Sequence, residues 1–202
     1  MSNHSHASQG TREENSIKEI VTQAHSAWDL KQLEVAAELF RKASVMEKEA
    51  AMGRAPFASP DMSFPYAIRS ALCLWDFGRH DEARPVIEQA LTFDWASARA
   101  YSDRRMTEWA FVRLLVECAA NQDRPSFLSL WQKATLRGEQ LSFPFPSIIP
   151  HQKTLLIACM HFMFVEGCQQ IISRIDSGHL KTDHELRLLN SQALAFCQKG
   201  MP

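Results

Sequence analysis

FPYAIRSALCLWDFGRHDEARPVIEQALTFDW, residues 64–95, decides how the rest of the chain is read. Ala67, Ala71, Leu74 and Phe77 or Gly78 recur at steps of three or four, the mark of one buried helical stripe. Gly78 reaches left-handed backbone at no steric cost and can end that helix. Asp81 and Glu82 follow where a new helix has unpaired N–H groups and favours negative charge. Ala83, Val86, Ile87, Ala90 and Leu91 form a second stripe. Pro85 falls about one turn in, where a missing N–H is tolerable. The stretch reads as two antiparallel helices hinged at Gly78, with Ala71, Ala83 and Ala90 at the close crossing points.

An earlier segment echoes it. AWDLKQLEVAAELFRKAS (27–44) aligns without gaps on LWDFGRHDEARPVIEQAL (74–91) at an offset of 47. Trp28 matches Trp75, Asp29 matches Asp76, Ala36 matches Ala83 and Ala43 matches Ala90. A weaker third copy, ECAANQDRPSFLSLWQKATL (117–136), sets Ala134 opposite Ala90 at an offset of 44. One hairpin cannot bury its own apolar face, so repeated hairpins at such a period point to stacked helix pairs.

The central stretch resembles the tetratricopeptide repeat (TPR). That family carries a small residue in its first helix, then a glycine, then alanines at fixed steps, and a closing Asp-Pro. Ala71, Gly78, Ala83, Ala90 and Asp94 fill these places, while Trp95 stands where proline is usual. The resemblance implies an all-α, right-handed stack of antiparallel helical hairpins, a TPR-like α-solenoid with a C-terminal capping helix. It also implies a non-catalytic module that binds a partner protein or peptide in a groove lined by the first helix of each pair. Carried over position by position, that groove receives His25, Trp28 and Asp29, then Ile68, Leu72, Trp75 and Asp76, then Trp109. Aromatics beside carboxylates suit gripping a peptide or helix. The competing assignment makes Trp28 and Trp75 core between repeats.

At 202 residues, 46% of them hydrophobic, the chain has enough apolar content for one domain, read as residues 11–202 behind a disordered tail over 1–10. A formal net charge of −1 gives no bulk attraction to nucleic acid or anionic membrane. No run reaches the ~20 apolar residues that a membrane span needs, and no secretory leader is expected. Cys73, Cys118, Cys159, Cys168 and Cys197 are odd in number and set in apolar runs. They read as reduced thiols of a cytoplasmic protein, not a disulfide frame.

Outward from the centre, Thr11 with Glu14 forms a capping box for a first helix to about Leu30. A second helix is expected from about Gln32 to Met52, then a linker over 53–63 rich in Pro and Ser. A long helix from about Ala98 to Asn121 is apolar on nearly every side after Trp109. Asp123 can cap the next helix, with Pro125 in its first turn and Gly138 at its end. SFPFPSIIP (142–150) is too rich in proline for regular structure and too apolar to float free. Pro150 opens a helix whose centre, Leu155–Val165, is interior or a homodimer face. Gly167 is expected to interrupt it, and Thr182 with Glu185 to cap the last helix.

No nucleophile elbow, zinc-protease pair, P-loop or dinucleotide fingerprint occurs, so no catalytic residue, cofactor or metal ligand is assigned. Ser2-Asn3-His4 would form a square-planar Cu(II) or Ni(II) chelate only behind a removed Met1, and reads as incidental. Asp103-Arg104-Arg105 reads as a solvated helix start, and His161 as a satisfied core histidine. Two alternatives stand beside the interaction module. One is a bacterial immunity protein that neutralises a cognate toxin, which this chain resembles in size and helical look alone. The other is a metal-dependent regulator or enzyme using buried Cys and His.

Overall fold

The computed structural model describes residues 4–52, 62–95, 104–140 and 144–199, with side chains from Glu14 onward. The described residues contain ten helices and no strand. They are α1 (His4–Asp29), α2 (Leu33–Met52), α3 (Ser63–Phe77), α4 (His80–Ala90), α5 (Met106–Ala120), α6 (Arg124–Gln140), α7 (Ile149–His161), α8 (Val165–Ile172), α9 (Ser177–Thr182) and α10 (His184–Lys199). The all-α class expected from the periodicity is what forms. α1 already runs at His4, within the stretch read as a tail, so the Thr11 box does not start it. The Ser2-Asn3-His4 chelate, most of the linker (53–61), residues 96–103 with Asp103, and 141–143 lie outside the described residues or side chains.

The chain divides into two compact units, Met1–Met106 and Thr107–Pro202. In the first, α1 and α3 both pack on α2, and α4 packs on α3. Ala24, Ala27, Ala36, Ala37, Phe40 and Cys73 form one buried cluster, with Trp28, Leu39, Tyr66 and Leu74 against it. The many alanines matter because the distance between two helices is set by the side chains at their contact. The Ser70 hydroxyl donates to the Ala37 carbonyl at 2.8 Å, and Ser44 donates to the Ser63 carbonyl at 2.8 Å, which pins α3 to α2.

Four helix ends carry the same turn. At Lys31, Gly78, Gln122 and Met163 the backbone is left-handed, with φ of 62°, 97°, 59° and 55°. The N–H of each donates to the carbonyl three residues back, to Trp28, Trp75, Ala119 and Met160. The following N–H donates five back: Gln32 to Ala27, Arg79 to Leu74, Asp123 to Cys118 and Phe164 to Cys159. This is the Schellman arrangement, which satisfies carbonyls that a helix end leaves without partners. Five residues beyond each turn stands a side chain with no exposed surface: Ala36, Ala83, Phe127 and Cys168. Twelve beyond the first three stand Ala43, Ala90 and Ala134, also buried. The echo seen in sequence is thus a recurrence of turn geometry and of buried positions.

In the second unit α10 packs on α7 and α8, and α7 packs on α8. The ring of Phe127 meets Phe162 at 4.9 Å, and Trp131 meets Phe145 at 5.5 Å and Phe164 at 5.7 Å. Pro144 to Ile148 form no regular element, yet Phe145 is buried, as its composition led one to expect. Arg174 donates to the Phe145 carbonyl, and the Phe145–Pro146 peptide is cis. Asp123 caps α6 by accepting from the Ser126 N–H at 3.1 Å.

Three expected boundaries move. Gly167 lies inside α8, and the helix breaks earlier, at Met163. A Cβ on Gly167 would strike the Phe164 ring and lie 2.8 Å from Cys159 Sγ, so this glycine answers packing. Gly138 is buried inside α6 and does not end it. Asp183, not Thr182, caps α10: its carboxylate accepts from the Leu186 N–H at 2.9 Å, and Thr182 closes α9. His161 is exposed at the end of α7, 3.2 Å from Gln122 Oε1, and is not a core histidine. Of the Leu155–Val165 run, Leu155, Leu156, Ala158, Cys159 and Phe162 are buried, while Ile157 and Met163 are exposed.

The turns make opposite predictions for glycine. Gly78→Ala meets no atom within 4 Å, so its cost is backbone strain alone, about 1 kcal/mol. Lys31→Gly relieves that strain and should gain roughly 0.5 kcal/mol. Urea unfolding midpoints are expected to fall for the first variant and rise for the second.

Candidate functional site

The residues assigned to a groove separate by burial. His25 is exposed, its ring 6.4 Å from Trp28 in a stacked arrangement and 5.1 Å from Phe40. Trp28 is half-buried, edge-on to Phe40 at 5.7 Å. Asp29 and Asp76 are exposed. Ile68 and Leu72 are 0% exposed and Trp75 6%, so these three have almost no surface to offer a partner. The Trp75 ring stacks on His80 at 4.4 Å, with the Arg84 guanidinium 5.3 Å from its centroid. Each repeat tryptophan therefore leans on the second helix of its own hairpin. Trp109, in the second unit, is half-buried, with the Arg113 guanidinium 5.8 Å away and the His151 ring 6.1 Å away, edge-on.

The second unit holds a buried polar constellation that no sequence spacing announced. The Glu108 side chain, 0% exposed, sits in the first turn of α5. Its Oε1 accepts from the Ser147 N–H at 3.0 Å and faces His151 Nδ1 at 2.7 Å, and its Oε2 accepts from the Ser147 hydroxyl at 2.5 Å. Next to this, Gln152 donates to the Pro146 carbonyl at 3.3 Å. The three contacts come from an irregular segment and the first turn of α7, whose backbone has few partners of its own. Burial pushes the Glu108 pKa up, but the hydrogen bonds from His151 and Ser147 outweigh it and hold the carboxyl below its ordinary value. A carboxylate with this many donors is stable as an anion in a low-dielectric site.

What this arrangement can do is limited by its connectivity. The Ser147 hydroxyl donates to the carboxylate, not to the imidazole, so serine and histidine are not linked as nucleophile and base. Glu108 instead clamps the Pro144–Ile148 segment onto α5. Elsewhere in this unit, Cys159, Cys168 and Cys197 are buried thiols near enough to perturb one another, and Cys197 donates to the Val165 carbonyl. Among the described residues no group of three or more His, Cys, Asp or Glu is arranged to hold a metal ion. The signal that could have exposed Glu108 is its place beside an apolar run: a lone carboxylate entering a buried helix needs donors from elsewhere.

Removing the Glu108 carboxylate strands Ser147 and His151, and Glu108→Ala should cost on the order of 3 kcal/mol near neutral pH. Because the folded pKa of Glu108 lies below the ordinary 4.5, its charge stabilises the fold above that value. The contribution is lost as pH falls through the lower folded value. Denaturant titrations of the native chain and Glu108→Gln should therefore converge under acid conditions. Trp75→Ala should cost about 3–5 kcal/mol, the range for a buried aromatic, measured by the same unfolding. No known family model matches this chain, and neither curated proteins nor solved structures show one similar to it.

Proposed function

We propose that this chain is a divergent, TPR-like helical-repeat protein of the cytoplasm that binds a partner protein without catalysis. The observation that carries it is a repeated surface pair: Asp29-Leu30 and Asp76-Phe77 stand immediately before two equivalent turns of the first unit. All four are exposed, Leu30 at 70% and Phe77 at 49%. Arg79 beside one turn reaches Glu34 beside the other at 3.5 Å, so both pairs lie at one end of this unit. A large apolar residue left in water twice, at the same register, has no use in the hairpin itself. Val35 adds a further exposed apolar side chain, Glu34 and Glu82 share Arg79 as their counter-charge, and Asp81 adds negative charge. The partner segment is accordingly apolar with basic flanks, gripped by apolar anchors with acids at the rim. His25 and Trp28 keep some surface beside Phe40, whereas Ile68, Leu72 and Trp75 drop out of any docking face as buried.

The test uses the full chain as bait in extracts of its native cell, with quantitative mass spectrometry of what is retained. Leu30→Ser with Phe77→Ser, and separately Asp76→Arg, should lower recovery of the same protein at least tenfold, about 1.4 kcal/mol, with circular dichroism unchanged. Undiminished recovery by folded variants overturns the assignment of this face.

A further inference from the structure

Cys159 lies four residues before the Met163 turn and Cys168 five after it. Ala27 and Ala36 hold the same two positions about the Lys31 turn, and both belong to one buried cluster. These are facing positions of a tight helical hairpin, where small side chains let the backbones approach. In the fourth hairpin they carry sulfur. Cys159 Sγ would lie 2.8 Å from a Cβ on Gly167, so it rests against α8 one residue before Cys168. The third thiol, Cys197 on α10, donates to the Val165 carbonyl at 3.8 Å, at the start of the same helix. Cys159 and Cys168 are fully buried, and Cys197 is 5% exposed.

We propose that Cys159 and Cys168 are an oxidisable pair that closes the α7–α8 hairpin with a disulfide, and that Cys197 takes no part in the bond. The neighbouring Cys159 thiol, against the opposing effect of burial, holds the Cys168 pKa below the ordinary thiol value. The closeness of Cys168, with burial, raises Cys159. Of the pair, Cys168 is the more readily ionised and reacts first, as its thiolate. The oxidant is hydrogen peroxide, admitted when the hairpin opens locally, since Cys168 has no exposed surface. The Cys168 thiolate attacks one peroxide oxygen, the O–O bond breaks, and the departing hydroxide takes the proton Cys168 had lost, leaving as water. Cys168 is then a sulfenic acid. The Cys159 sulfur attacks it, the S–O bond breaks, and the hydroxyl leaves with the Cys159 proton as a second water. Two thiols and one peroxide become one disulfide and two waters.

Trypsin separates the alternatives, because Cys159 and Cys168 share the peptide 154–174 while Cys197 lies on 188–199. The folded full chain is treated with hydrogen peroxide, its free thiols are alkylated, and the digest is weighed. The expected product is peptide 154–174 short of two hydrogens and carrying no alkyl group, formed equally in Cys197→Ala of native circular dichroism. It should form at least tenfold faster in the folded chain than in urea, because the fold holds the sulfurs together. Cross-linking of 154–174 to 188–199, or alkylation of both cysteines, overturns the pairing. A folded-state rate at or below the unfolded one marks the thiols as merely buried and overturns it as well.

Discussion

A helix that stops must find donors for its last carbonyls, and in this chain the same solution is used at four reversals. The left-handed residue folds two successive N–H groups back onto the helix that has just ended. That geometry fixes the direction in which the next helix leaves, because the chain has only two or three residues in which to turn. The positions that end up buried are then counted from the turn and not from the helix start. This is why Ala36, Ala83, Phe127 and Cys168, which differ in size and chemistry, occupy one structural place. It also explains why tryptophan recurs just before the first two turns, leaning on the helix that follows.

The second unit adds a constraint of a different kind. Proline-rich backbone between Pro144 and Ile148 cannot satisfy itself with a ladder, so it draws on a carboxylate from another helix. Glu108 supplies several acceptor sites in a small volume for Ser147 and His151. Arg174 and Gln152 donate to the Phe145 and Pro146 carbonyls, so side chains from α5, α7 and the turn after α8 hold the segment beside the burial of Phe145. The surface ion pairs of the chain, such as Arg41 with Glu38 or Arg79 with Glu82, contribute far less, since both partners stay in water. The surface at the turns of the first unit, by contrast, leaves apolar groups in solvent, and it is on that mismatch that the binding proposal rests.

Periodicity made the helices readable, and glycine made one hinge readable. Gly78 was identifiable because its chemistry suits a left-handed turn. Lys31, Gln122 and Met163 carry no such mark, since packing around the turn, not intrinsic preference, holds them there. Gly167 drew attention for the same reason in reverse: it is conformationally permissive, but what it answers is the Phe164 ring and the Cys159 sulfur. His161 sits among apolar neighbours in sequence and yet faces water, because it is the last residue of its helix. Burial of Ile68, Leu72 and Trp75 could not be told from a groove lining, as both roles ask for the same side chains at the same spacing. Glu108 stayed hidden because Ser147 and His151 lie 39 and 43 residues away along the chain, and distant partners leave no local pattern.

The left-handed residues at 31, 78, 122 and 163 stand 47, 44 and 41 residues apart, each interval three shorter than the last. Through the first three hairpins the stretch from each turn to the alanine twelve residues on keeps its length, so the shortening falls between that alanine and the next turn. Removing three residues from within a helix would swing every later side chain by about 60° around its axis, at about 100° per residue. The count from a turn to the alanine beyond it therefore keeps the buried face in register, whatever the spacing from one turn to the next.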